Sequence, residues 1–320
     1  MTEEARIVCP LCPLACDDVI VNSSGQLMVD GCEIASQFTM SSDRGDTDSV
    51  LASLPKRPWQ VVTTGADLVT ARSLLDLQAS SQIDLAIESD PSVEAMLQSA
   101  SRDGMIAATL AEVATRSDLI WLIGNAEQAY PRIAQKLRLN SAASPHVIRQ
   151  QSISAEQLAA IASNPQELWQ DSSYASLLIG PGAFLTGEEA ISSTMVSRLT
   201  RLRNETARAT TLTMDAAATL RSVSLWTRNH IPGDSQDISV DVRLGTPIST
   251  HAAPAKIQIG GHDPGPDQAD AYIASSIAGL HKQSMIIRGD GSISLALSTP
   301  IASDLSSSSA VLQRLLSQHF

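Results

Sequence analysis

The chain has 320 residues, enough for a large core divided between two or three lobes. A net charge of −12 and a pI near 4.9 argue against nucleic acid, whose binding needs a basic face, and aromatics at 3% leave few platforms for stacked bases. With mean hydropathy near zero and no apolar run near the ~20 residues a bilayer requires, no membrane span is expected.

All the cysteines lie at the front, as Cys9, Cys12, Cys16 and Cys32 in CPLCPLACDDVIVNSSGQLMVDGCEIASQF. The first three share one tight loop, and short strands VIVN and QLMVD, joined at Ser24 and Gly25, return the chain to the fourth. Four thiolates can then converge on a 4Fe–4S cluster or a structural zinc. Pro10, Pro13 and the compact triple favour the cluster, since zinc prefers two separated Cys-x-x-Cys pairs. Scattered core thiols would be spread through the chain. Two disulfides would require an oxidising compartment, and the acidic opening MTEEARIV is unlike an export signal, so a cytoplasmic setting is expected.

Residues 1–50 make up this cysteine lobe, closing in the polar stretch SSDRGDTDS, which is read as a linker. The lobe is too small to hold itself together, so a bound metal would staple it. From 59 to 149 strands and helices alternate as a first Rossmann-like α/β domain: QVVTTG, DLVTARSLLDLQASS, IDLAIES, PSVEAMLQSAS and TLAEVATRSDLIWLIGN. The fully apolar run from Leu119 to Ile123, ending at Gly124 and Asn125, has the character of a parallel strand buried on both faces.

Residues 150–320 are read as a second, shortened α/β domain with a C-terminal hairpin. It holds the helix AEQLAAIAS, the helix or turn PQELWQ, the strand ASLLIGPGA and a helix from Glu188 to about Asn204. Gly180, Pro181 and Gly182 sit where a nucleotide loop would, without its G-x-G-x-x-G spacing, and Arg198, Arg201 and Arg203 suit a helix C-terminus. The histidines, His146, His230, His251, His262, His281 and His319, show no metal-ligand spacing, His262 beside Asp263 being the nearest to an exception. No nucleophile elbow or Walker loop occurs, and Asp17 and Asp18 are best explained as turn caps or contacts to a neighbouring lobe.

Three blocks, in order, resemble the B subunit of formylmethanofuran dehydrogenase, of the molybdopterin oxidoreductase superfamily. The first is CPLCPLACDDV with GCEIASQF. The second is GMIAATLAEVATRSDLIWLIGNAEQAYPRI, where Thr109, Leu110, Glu112, Val113, Arg116, Asp118, Gly124, Asn125, Pro131 and Arg132 fall on the family pattern while Ala111 and Ala126 depart from it. The third, ISTHAAPAKIQIGGHDPGPDQADAYIASSIAGLHKQSMIIRGDGSISLALS, matches at Asp263, Pro264, Ala269, Asp270, Ile273, Gly279, Arg288, Asp290 and Gly291.

The resemblance implies α/β architecture: a cysteine lobe followed by Rossmann-like parallel-sheet domains of a truncated molybdopterin-oxidoreductase fold, with a 4Fe–4S cluster on the four cysteines. Where catalytic members carry their metal-binding Cys-His-Gly-Pro, this chain has Glu88, Ser89, Asp90, Pro91 and Ser92, and it passes from about Trp226 to Ala255 in far fewer residues. No molybdopterin or tungstopterin is therefore expected. In this the chain looks like the short B subunit of the bacterial formyltransferase/hydrolase complex, which converts formyl-tetrahydromethanopterin to formate through a methanofuran-type carrier. The implied partners are an amidohydrolase-like A subunit, a formyltransferase D subunit and the C subunit, and the implied role is a scaffold without chemistry of its own. An active molybdenum or tungsten dehydrogenase subunit and a free-standing iron–sulfur or zinc protein are the alternatives.

Overall fold

The computed structural model describes residues 5–22, 25–39, 41–141, 145–164, 167–228, 239–245 and 253–319. The front lobe is an antiparallel meander of β1 (Ala5–Ile7), β2 (Val19–Val21) and β3 (Leu27–Met28). Gly25 turns the β2–β3 connection at φ 80, close to where the sequence places the turn.

Next come β4 (Trp59–Thr63) and β5 (Ile83–Ile87), parallel and joined by the helix Leu68–Ala79. Asp67 starts that helix by accepting the amides of Val69 and Thr70, and its Thr70, Ala71, Leu74, Leu75 and Leu77 bury one stripe. The chain then builds β6 (Leu119–Ile123), β7 (His146–Gln150), β8 (Tyr174–Ile179) and β9 (Arg208–Thr213), a parallel sheet of order β7-β6-β8-β9. All five residues of β6 are buried, as an all-apolar parallel strand requires.

Afterwards β10 (Val240–Leu244), β11 (Ala255–Ile259) and β12 (Ala269–Ile273) return to the earlier pair, giving the parallel order β12-β11-β10-β4-β5. A hairpin of β13 (Ser284–Ile287) and β14 (Ser294–Leu297) and the helix Ser308–Gln318 finish the chain. Each parallel sheet reverses strand order once, between β4 and β10 and between β6 and β8, in the doubly wound manner.

Two compact units result: residues 1–89, 216–288 and 293–320 form one, and 90–215 with 289–292 the other. These differ from the ranges 59–149 and 150–320 read from sequence. Local alternation of strand and helix marks each βα step, whereas the sheet a strand joins is decided by pairing with residues far along the chain; β6 leaves β4 and β5, and β10 to β12 come back to them.

The stretch read as a linker is also different. Arg44 bridges Tyr272 at the edge of β12, amide to carbonyl both ways at 2.9 and 2.8 Å, and its guanidinium takes Asp263 at 2.8 to 3.1 Å and the Ala269 carbonyl at 3.0 Å. Asp43 accepts the Ala274 amide at 2.7 Å, and Asp46 caps the helix Thr47–Ser53. Hydrogen bonds, not apolar content, order this segment.

Candidate functional site

The cysteine loop is closed by the strands on either side of it. Cys9 follows β1 and Cys16 precedes β2, and because these strands pair, the Cys9 amide reaches the Cys16 carbonyl at 2.8 Å. Inside the loop the Ala15 amide donates to the Cys12 carbonyl at 3.1 Å, with Ala15 in the left-handed region at φ 46. Cys32 arrives from β3 as the first residue before the helix Glu33–Ser36. The four cysteines are not joined in disulfides; Cys9 and Cys16 are buried, and Cys12 and Cys32 partly exposed.

The thiols share one electrostatic environment. Burial pushes Cys9 up to about 12, the charges of Cys12, Cys16 and Cys32 adding to it and the Leu11 amide opposing. Cys12 is likewise pushed up to about 12, by burial first and then by Cys16 and Cys32, against the amides of Leu14 and Ala15. These two thiols stay protonated at neutral pH and are poor nucleophiles in that form. Four soft donors in mutual electrostatic reach, with backbone amides directed at two of the sulfurs, fit a metal that displaces their protons. As the side chains stand, though, no group of three or more His, Cys, Asp or Glu among the described residues is arranged to hold a metal ion.

What holds the loop in place went unrecognised in the sequence. Gly279 turns at φ 89, where a Cβ would lie 3.4 Å from Cγ of Pro10 and 3.2 Å from Leu297, so the Pro10 ring packs directly on this glycine turn. Gly25 meets Ile301 in the same way, at 3.3 Å. The signal available was Gly279 itself, a glycine required for its backbone conformation and for the close approach.

The residues standing where a metal ligand might be sought are engaged in holding the backbone. Glu88 pairs with buried Arg243 at 3.0 Å. The Asp90 carboxylate accepts the amides of Ser92 and Val93, capping the helix Pro91–Asp103, and that of Gly182 at 3.1 and 3.2 Å. Buried Ser92 accepts the Phe184 amide at 2.9 Å.

The glycine turns are likewise built into each other. Asn125 donates its amide to the Pro181 carbonyl at 2.8 Å, and a Cβ on Gly124 would fall 2.7 Å from the carbonyls of Gly180 and Pro181. The reversal point between β6 and β8 is thereby filled by backbone. A cleft of about 400 Å³ opens to one side, beyond β6 and β7, lined by Gly124, Asn125, Glu127, Gln128, Arg149 and Gln150, with Arg149 paired to Glu127 at 2.9 Å.

Other residues of the resemblance also serve the fold. Thr109 caps the helix Leu110–Arg116, whose Leu110 amide is taken by Asp290 at 2.8 Å. Asp118 accepts the amides of Ser173 and Tyr174, Glu112 the hydroxyl of Tyr174, and Asp263 the guanidinium of Arg44. Arg203 donates to the carbonyls of Gln170 and Ser172, a helix-end role. Of the histidines, His281 accepts the Ile277 amide at 3.0 Å, burial holding its pKa below the ordinary value, and His319 packs on Trp59. His230 and His251 lie outside the described residues, as does most of the stretch between Trp226 and Ala255. At the end of the helix Ala218–Thr227, Leu225 is 77% and Trp226 64% exposed, whereas Trp59, Trp121 and Trp169 are buried. No helix among the described residues is long and apolar enough to cross a membrane.

No protein-family model matches the chain, and no curated protein matches it either. Among solved structures, it is similar to a chain in the X-ray crystal structure of the formyltransferase/hydrolase complex (FhcABCD) from Methylorubrum extorquens in complex with methylofuran. The TM-score is 0.60, with 88% of this chain and 98% of that chain covered at 18% sequence identity. At that identity the likeness is one of fold.

Proposed function

We propose that the chain is a non-catalytic scaffold subunit, of the B type, in a formyltransferase/hydrolase complex of tetrahydromethanopterin-linked one-carbon metabolism. The observation that carries this reading is the fold shared over 88% of the chain with a chain of FhcABCD. It is supported by the use of the candidate ligand positions: Glu88, Asp90 and Ser92 serve an ion pair, a helix cap and a backbone contact. No pterin-bound molybdenum or tungsten is assigned to the chain. Its partners are the amidohydrolase-like, formyltransferase and C subunits.

Cys9, Cys12, Cys16 and Cys32 are assigned as one metal site, holding a 4Fe–4S cluster in preference to zinc. Bound there, the metal contributes binding energy that staples a lobe of short strands, and a cluster adds the capacity to accept an electron. The chain's own residues supply the sulfurs, the amides directed at them and the Gly279 turn beneath Pro10.

The test is recovery of tagged chain from its native host. The amidohydrolase-like and formyltransferase subunits are expected to come with it, and hydrolase activity to survive Cys16→Ser in a folded complex. A stable monomer bringing neither subunit overturns the reading. Anaerobic protein is expected to show broad visible absorption that Cys12→Ser removes; colourless protein with bound zinc selects the structural metal, and four titratable thiols end the metal assignment.

A further inference from the structure

We infer that the outer face of the helix Glu189–Arg203 is a docking surface, and that its occupant is a helix of another subunit whose apolar seam sets a carboxylate against Arg198; the choice of a partner subunit rests on the function proposed above. A surface helix ordinarily turns its apolar stripe to the core and its polar residues to water. Much of this one is reversed. Of its six buried residues, Ser192, Ser193, Ser197 and Thr200 carry hydroxyls, beside only Val196 and Leu199. Outward, Ile191 is 57% and Leu202 39% exposed, with half-buried Met195 between them.

The inward hydroxyls serve packing. Ser197 meets Ser99 of the helix Pro91–Asp103 at 3.1 Å, while Ser193 and Thr200 turn onto carbonyls of their own helix, those of Ala190 at 3.0 Å and Val196 at 3.1 Å. Ile191 and Leu202, by contrast, leave apolar surface in water. Ile191, Met195, Arg198 and Leu202 follow the spacing i, i+4, i+7, i+11, the alternation of four and three that lines knobs along one side of a helix. At 1.5 Å per residue the row is about 16 Å long, and a partner helix can lie along it at a shallow crossing angle.

Arg198 selects the occupant's charge. Arg203 is engaged by the carbonyls of Gln170 and Ser172, Arg102 by Asp103 and Thr194, and Arg201 stands in the last turn near Asp103. Arg198 is exposed in mid-row and makes no hydrogen bond or ion pair among the described residues. Covering this row with apolar groups alone strands a cation out of water, whereas a carboxylate opposite pairs it. A second copy is the wrong partner. Laid parallel it sets Arg198 against itself, and laid antiparallel to match Ile191 with Leu202 it brings the two Arg198 positions within one helical turn. Nucleic acid is repelled by the chain's charge of −12.

The experiment co-expresses the tagged full chain with the formyltransferase and hydrolase subunits of its host. Arg198→Glu is expected to recover about tenfold less of those subunits, and Ile191→Gln with Leu202→Gln to show a similar loss, thermal midpoint and circular dichroism staying at wild-type values. Arg198→Lys, which keeps the charge, is expected to recover most of them. Should either variant not fold, Arg198→Ala or Ile191→Gln alone carries that arm, with a smaller loss expected. Equal recovery by both folded variants overturns the docking surface and leaves the scaffold reading standing. Loss with the apolar variant alone overturns the acidic occupant, and loss with Arg198→Glu alone overturns the apolar seam. A wild-type chain that recovers neither subunit overturns both the surface and the scaffold reading. Self-association of the wild type that the apolar variant disperses overturns the inferred occupant in favour of a second copy.

Discussion

Gly279 and the Arg44–Asp263 pair show how single residues far from the cysteines govern the lobe and its neighbour. Gly279→Ala meets two penalties, a left-handed backbone and a Cβ tight against Leu297 and Pro10, and is expected to cost roughly 1–3 kcal/mol. Gly187→Ala, at φ 84 in open space, bears only the backbone term and serves as the control. Urea denaturation measures both, and alkylation of Cys12 is expected to speed up in the Gly279 variant alone. Asp263 is held below the usual carboxylate range by its hydrogen bonds to Arg44. Because its folded pKa is depressed, the pair's contribution is present above the ordinary value of ~4 and is lost as pH falls through the lower folded value. Asp263→Asn is therefore expected to lower stability by about 1 kcal/mol at pH 7, a figure reduced for the pair's partial exposure, and to converge with the wild type as pH falls through the depressed folded value.

The helices and strands follow local rules closely, which is why most of them were legible. Asp67, Asp90, Thr109 and Ser154 each precede an amphipathic run and each caps a helix. Asp90 does more than cap, since it also receives the Gly182 amide. Asp90→Ala is expected to cost about 1–2 kcal/mol, more than Thr109→Ala, and to leave metal content unchanged; a fall in bound metal on replacing Asp90 would make it a ligand after all. Several elements escaped the reading, among them the strands Arg208–Thr213 and Val240–Leu244 and the C-terminal helix Ser308–Gln318, and two cases show why. The strand His146–Gln150 is a half-exposed edge with no apolar run to announce it, and residues 41–46 are ordered by hydrogen bonds that composition does not display.

For the whole molecule, the exposed Leu225 and Trp226 are candidate contacts for the partners proposed above, since interface anchors are commonly aromatic and exposed patches mark association. Trp226→Ala is expected to leave the melting temperature of the isolated chain within about 2 °C, because little native packing is lost, while weakening recovery of partner subunits. Loss of stability without loss of recovery would assign Trp226 to the fold.

The sequence by itself determined what depends on near neighbours: the cysteine loop, the amphipathic helices and the apolar strand Leu119–Ile123. It also carried the three blocks from which an α/β fold with parallel sheets was expected, and parallel sheets are what the chain builds. Only the tertiary structure decided which strands share a sheet, that Gly279 supports the cysteine loop, and that Glu88, Asp90 and Ser92 serve the backbone. Those outcomes rest on pairings between residues far apart in the chain. Local periodicity describes the faces of each segment; the identity of the surface that meets them is set by the packing of the whole.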